Sequence, residues 1–160
     1  FGMILFVTAL RWRYSVLSGA LTLAIMVLPL ILRTTEEALL SVPDSYREGS
    51  LALGAGKLRT VMKVVLPPAS GGIFAGIILA TGRIVGETAA LIYTAGTVAQ
   101  FAVNPMSSGS TLAVHVYVLS GEGLHVGEAY ATAVVLMVIV FLMNALSSWI
   151  AMSPVPRFSR

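Results

Sequence analysis

Two ionisable residues stand four apart inside a long apolar segment, Arg83 and Glu87 in LATGRIVGETAAL. On a continuous helix that spacing puts both on one face and within reach of each other. At membrane depth an ionisable side chain costs several kcal/mol unless it is paired or hydrated, so the pair points to use. Arg83 offers a bidentate donor fork for an oxyanion, and Glu87 can hold that fork in place and limit how tightly an anion stays. Thr88, with Thr81 and Thr94 nearby, adds hydroxyls. The alternative is a buried ion pair that only fixes helix packing.

Other constellations carry less. GAGK, from Gly54 to Lys57, has Leu58 where a nucleotide-binding loop needs Ser or Thr, so the chain is not expected to bind ATP itself. His115 and His125 lack an acidic partner at metal-ligand spacing and read as surface or interface residues. Glu122 and Glu128 lie in a hydrated loop where solvation is the default. There are no cysteines, which excludes disulfides and thiolate metal sites. The expectation is a chain without a catalytic site, metal or cofactor of its own.

The elements that must position Arg83 and Glu87 are membrane spans. Hydrophobic residues make up 57% of the 160 and charged residues 11%, with a mean hydropathy of +0.91, far outside soluble globular usage. The net charge of +3 would suggest nucleic acid in a soluble protein, yet the basic residues sit at the ends and in one loop. The apolar run from Phe1 to Leu10 is about half of the ~20 residues a span needs, so it reads as the end of a truncated span and the chain as a C-terminal portion of something longer. It has no signal-peptide pattern. Arg11 to Tyr14 forms an interfacial turn with its rings at headgroup depth. Residues 15–32 give a first complete span with Pro29 near its end, 68–93 a second and 129–151 a third. Arg83 falls roughly 22 Å beyond Pro68, past the middle of the apolar core. Gly72, Gly76 and Ala80, then Gly82, Gly86 and Ala90, recur every four residues and let neighbouring helices approach.

Between the first two spans, residues 33–67 form a polar, basic loop. Ser41 is expected to cap a first short helix, with Asp44 favouring its N-terminus and Gly54 and Gly56 marking a break. In a second helix Leu58, Val61, Met62 and Val65 recur at helical spacing as a packing face, leaving Lys57, Arg59, Thr60 and Lys63 wet. Pro67 and Pro68 are expected to stop it. Residues 94–128 have no lysine or arginine and hold a short apolar piece, Thr111 to Leu119, capped by Ser110 and stopped by Gly121, too short to span. It reads as a re-entrant or surface helix. Counting Arg33, Arg47, Lys57, Arg59 and Lys63 in the loop, and Arg157 and Arg160 in the tail 152–160, places loop and tail in the cytoplasm, with Arg11 and Arg13 the exception outside.

The loop resembles the cytoplasmic motif of ABC importer permeases: EAA, three residues, Gly, nine residues, then I, any residue, L, P. Here it stands as Glu48, Gly49, Ser50, three residues, Gly54, nine residues, Val64, Val65, Leu66, Pro67. The departures are Gly49 and Ser50 for two alanines and Val64 for isoleucine. A surface-lying amphipathic helix pair is the bland alternative. The segment GRIVGETAALIYTAG, Gly82 to Gly96, and RTTEEAL, Arg33 to Leu39, resemble the phosphate-specific (Pst) branch and its PstA-type subunit.

The resemblance implies an all-α polytopic bundle in a prokaryotic inner membrane, forming half of a phosphate pathway. It implies a second, PstC-type permease subunit, two ATPase subunits that use ATP and Mg, and an extracytoplasmic phosphate-binding protein, with membrane lipid around it and no nucleic acid. It makes 41–67 the ATPase-coupling element, with Glu48, Gly49, Ser50, Gly54, Lys57, Arg59, Leu66 and Pro67 at the contact, and gives Arg83, Glu87 and Thr88 to the substrate pathway. An importer for another oxyanion or an amino acid, a passive channel or secondary transporter, and a structural scaffold are the other readings.

Overall fold

The computed structural model describes residues 1–100, 102–123 and 125–152, and every regular element among them is helical. The basic tail with Arg157 and Arg160 lies outside them, as do the side chains of Glu122 and of residues 150–152. The opening apolar run is a π-type helix, Met3–Ala9, whose wide turns bring Leu10 N–H to Leu5 O at 3.0 Å. After the Arg11 to Tyr14 turn come α1 (Val16–Leu40), α2 (Asp44–Ala52), α3 (Lys57–Gly86), α4 (Ala89–Ile92), α5 (Leu112–Glu122) and α6 (Val126–Met152). Helices α1, α3 and α6 are each long and apolar enough to cross a membrane.

Helix α1 starts where Ser15 Oγ accepts from Ser18 N–H at 3.2 Å. Its next free donors are taken by the loop between α4 and α5, Val16 N–H by Ser107 O and Leu17 N–H by Pro105 O. It runs through Pro29 and on through Arg33 to Leu40, so the first eight residues of the expected loop are helical. Ser41 does not cap α2. Its hydroxyl donates back to Ala38 O at 2.8 Å and closes α1, while Pro43 holds the N-cap position without a side-chain bond. Asp44 does lie in the first turn.

Pro67 and Pro68 do not end the helix that precedes them. Val61–Val65 is wound as a π-type stretch, and Leu66 N–H reaches back to Val61 O. A proline in a regular helix clashes with the carbonyl four residues earlier and leaves it unbonded. A wider turn just before two prolines opens that space, and α3 continues unbroken to Gly86. Helix α5 is capped by Thr111, not Ser110, and ends at Gly123 in the left-handed region, not at Gly121.

The chain divides into two compact units, with boundaries inside α1, α3 and α6. The first comprises Phe1–Leu28 and Thr81–Met143, with a core of Leu23, Leu91, Ala95 and Val114 against Met26, Ile84, Ile92 and Val118. The second comprises Pro29–Ala80 and the chain from Asn144 on. Its core is Ala38, Val42, Val65 and Ala69, with Leu39 and Ile73 packed on it. There Gly72 lies against Ala38, where an added Cβ would stand 2.7 Å from the alanine methyl, and Gly76 lies against Thr34. These two glycines serve close helix approach as their spacing suggests. Gly82 and Gly86 meet nothing within 4 Å.

Candidate functional site

Residues 41–67 fold as a helix, a turn and the start of a second helix, all within the second unit. Leu53 and Gly54 make the turn, with Gly54 at φ +82, a backbone that an L side chain rarely adopts. Three ties make the segment stiff. Arg47 donates to Leu39 O at 2.6 Å and Val42 O at 3.2 Å and pairs with Asp44, binding α2 to the end of α1. Ser50 Oγ and Thr60 Oγ1 lie 2.9 Å apart and join α2 to α3. Val65, 2% exposed, seats the first turns of α3 in the core.

The packing face differs from the one read from helical spacing. Thr60 and Val65 point inward, whereas Leu58 is 78% exposed and Val61 and Met62 are also exposed. Thr60, expected to be wet, is buried by its bond to Ser50. The reason is the tight Gly54 turn and the π-type stretch, which set a phase for α3 that an ideal 3.6-residue repeat does not give. Glu48, Gly49, Lys57, Arg59, Lys63 and Pro67 are exposed and Leu66 is half-buried. The outer surface thus combines Leu53, 91% exposed, and Leu58 with the cations Lys57, Arg59 and Lys63. A rigid apolar knob ringed by cations is suited to seating in a groove on an acidic partner. Sequence reasoning missed Arg47 as a tie; its place three residues after Asp44 was the available signal.

The second group lies in the first unit. Arg83 is exposed in the last turn of α3, where a cation is favoured by the helix dipole. Glu87 is not on that helix. Because α3 ends at Gly86, Glu87 turns away, and its Oε1 accepts from Ala90 N–H at 3.2 Å at the start of α4. The expected Arg83–Glu87 pair is therefore absent, and no ion pair or hydrogen bond of the Arg83 side chain is found among the described residues. Thr88 sits at the N-cap of α4, its hydroxyl donating to Gly86 O at 3.4 Å. Thr94, in the turn after α4, is buried and its hydroxyl donates to Ala90 O at 2.7 Å. The arrangement leaves a free guanidinium beside a helix break, with two glycines that leave its approach open.

His115 faces a 410 Å³ cavity with Gln100, Ser110 and Thr111, and its Nδ1 lies 3.5 Å from Thr132 Oγ1. His125 Nδ1 lies 3.2 Å from Glu128 Oε1. No cluster of metal-ligating side chains occurs among the described residues.

Residues 1–159 match the family described as binding-protein-dependent transport system inner membrane component. The chain is 38% identical to a probable ABC transporter permease protein, YqgI, of Bacillus subtilis, over 94% of this chain and 56% of that protein. It is 34% identical to a probable phosphate transport system permease protein, PstA, of Methanocaldococcus jannaschii, over 81% of this chain and 47% of the relative. With the phosphate transport system permease protein PstA of Xylella fastidiosa it shares 48% identity over 51% of this chain and 29% of the relative. The chain thus spans about half or less of the length of these relatives. No solved structure matches it.

Proposed function

Because the chain belongs to the family of binding-protein-dependent transport system inner membrane components, the helical permeases of ABC transporters, we propose that it forms half of the pathway of an ATP-driven phosphate importer. Residues 41–67 are the element through which the ATPase subunit moves it. The observation that carries this is the stiff helical turn held by Arg47, Ser50 and Thr60 beneath an exposed, apolar and basic tip. A pathway with two states must differ in its contacts at the driven site, and only a rigid element passes such a difference on. Glu48 and Gly49 stand on the outer side of α2, and Lys57 and Arg59 open α3. Leu66 and Pro67 join that tip to the span.

Phosphate as the substrate is supported by the PstA names of several relatives and by the chemistry of Arg83, an unpaired fork that suits an oxyanion. Glu87 and Thr88 shape the helix break beside it. The partners in this reading are a second permease of the PstC type, two ATPase subunits holding ATP and Mg, and an extracytoplasmic phosphate-binding protein. The loop and C-terminus face the cytoplasm.

The test is uptake of labelled phosphate by cells carrying the full-length protein, with membrane levels checked by blot. Arg83→Gln should abolish uptake at equal protein level, and sulfate should not compete in the native protein. Equal uptake by Arg83→Gln would remove Arg83 from the pathway. A second reading, an importer for another oxyanion or an amino acid, is favoured by one observation: the Bacillus subtilis relative, matched over 94% of this chain, bears a name without a substrate. Competition by other anions and amino acids separates the two.

A further inference from the structure

The Arg11–Trp12–Arg13 turn just ahead of α1 is strained, pinned and charged. Arg11 and Arg13 both have positive φ, 55° and 57°, and are the only non-glycine residues to do so among those described. Glycine or asparagine would hold this backbone at lower cost. The turn is fixed on every side. Trp12 stacks on Phe6 with ring centroids 5.8 Å apart, and the Trp12 backbone N–H donates to Phe6 O. Arg13 O accepts from Ser18 Oγ, and the adjoining Ser15 is fully buried, with its N–H on Thr94 O. Within this fixed frame both arginine side chains are exposed, and neither has an ion pair or hydrogen bond among the described residues. Strain retained at two bulky cations without such a partner points to an external anion.

Position selects which anion. The span of α1 begins at Val16, so the turn lies within a few residues of the hydrocarbon edge, at the depth where headgroups sit and tryptophan is favoured. We propose that Arg11 and Arg13 form a built site for the phosphate group of an anionic phospholipid headgroup. Each planar guanidinium can take two phosphate oxygens, and the strained turn fixes the backbone from which both side chains reach the membrane surface. The site rests on α1 being a span and not on the transported substrate.

The test uses the full-length protein in vesicles, with Trp149→Phe and any tryptophan outside this segment replaced, so that Trp12 is the reporter. Quenching of Trp12 by brominated phosphatidylglycerol is compared with quenching by a brominated, phosphate-free glucosyl lipid. The native protein should prefer phosphatidylglycerol, and Arg11→Gln and Arg13→Gln should each reduce that preference roughly five-fold, as expected for one cation at an anionic surface. Arg11→Gly fits the positive φ while removing the charge, so a fully folded variant should show the same loss. No preference in the native protein, or an undiminished one in Arg11→Gly and Arg13→Gln, would overturn the site. Loss of the preference on adding excess inorganic phosphate would show that it takes the free ion and not a headgroup.

Discussion

Ser50 Oγ and Thr60 Oγ1 lie 2.9 Å apart across ten residues of chain, and Thr60 is almost wholly buried where they meet. The bond closes the helical turn at its base, opposite the exposed tip. Replacing Thr60 with valine keeps the shape and leaves Ser50 without its partner. The expected cost is about 0.5–1.5 kcal/mol, and Ser50→Ala on top of it should add little. Thermal unfolding of the two single variants and the double variant checks this; additive losses would mean that the hydroxyls act separately.

Gly54 meets nothing within 4 Å, so space does not forbid a side chain there. Its φ of +82 does. Gly54→Val should cost on the order of 1–2 kcal/mol locally, enough to open the turn and stop uptake while insertion stays normal. Gly54→Asn, better tolerated in this region, should retain most uptake. Normal uptake by the valine variant would remove the coupling role.

Arg47 satisfies two carbonyls at the end of α1. Its loss leaves a half-buried joint without three donor contacts, and Arg47→Ala should destabilise by about 1–3 kcal/mol. Arg47→Lys, with no planar fork, should recover part of that. Amide exchange over residues 42–52 is the direct readout, and unchanged protection in Arg47→Ala would show that packing alone fixes α2.

Arg83 and Glu87 do not touch, so their effects on stability should be independent. In a double-mutant cycle of Arg83→Gln and Glu87→Gln read by thermal unfolding, the coupling energy should lie within about 0.5 kcal/mol of zero. A coupling well beyond that would require the two side chains to meet in the folded subunit.

The glycines of α3 should divide by position. Gly76→Val places bulk against Thr34 and Gly72→Val against Ala38, each expected to cost about 1–3 kcal/mol by overpacking. Gly82→Ala and Gly86→Ala face open space and should not destabilise the isolated subunit, and Gly82→Ala, inside the helix, should stabilise it by roughly 0.5–1 kcal/mol.

Composition and run length made the membrane class and three span-length helices legible, because the demand for about 20 apolar residues is coarse and hard to imitate. What failed was local phase and local exchange of partners. Ser41 reads as a cap by type, yet the nearer unsatisfied group was the Ala38 carbonyl behind it. Two prolines read as a stop because nothing in residue type announces a π-type turn ahead of them. Leu58 and Met62 read as a packed face because helical spacing names a stripe without saying which stripe has a neighbour. The Arg83–Glu87 pair assumed a helix one turn longer than the one that forms; beyond Gly86, Glu87 accepts instead from the open donor of Ala90.

The π-type turn at Val61–Val65 also works as a phase shifter. An i+5 turn takes in one residue beyond the regular repeat, so every later side chain lags by about 100° behind the place an unbroken regular helix would give it. The azimuth of Lys57 and Arg59 is thereby set separately from that of Gly72 and Gly76, though all four lie on one rod. Deleting a single residue between Val61 and Val65 would restore the ordinary repeat and leave both the tip and the seam with Ala38 and Thr34 where they are, whereas rewinding the same residues as a regular helix would turn the tip to a different side.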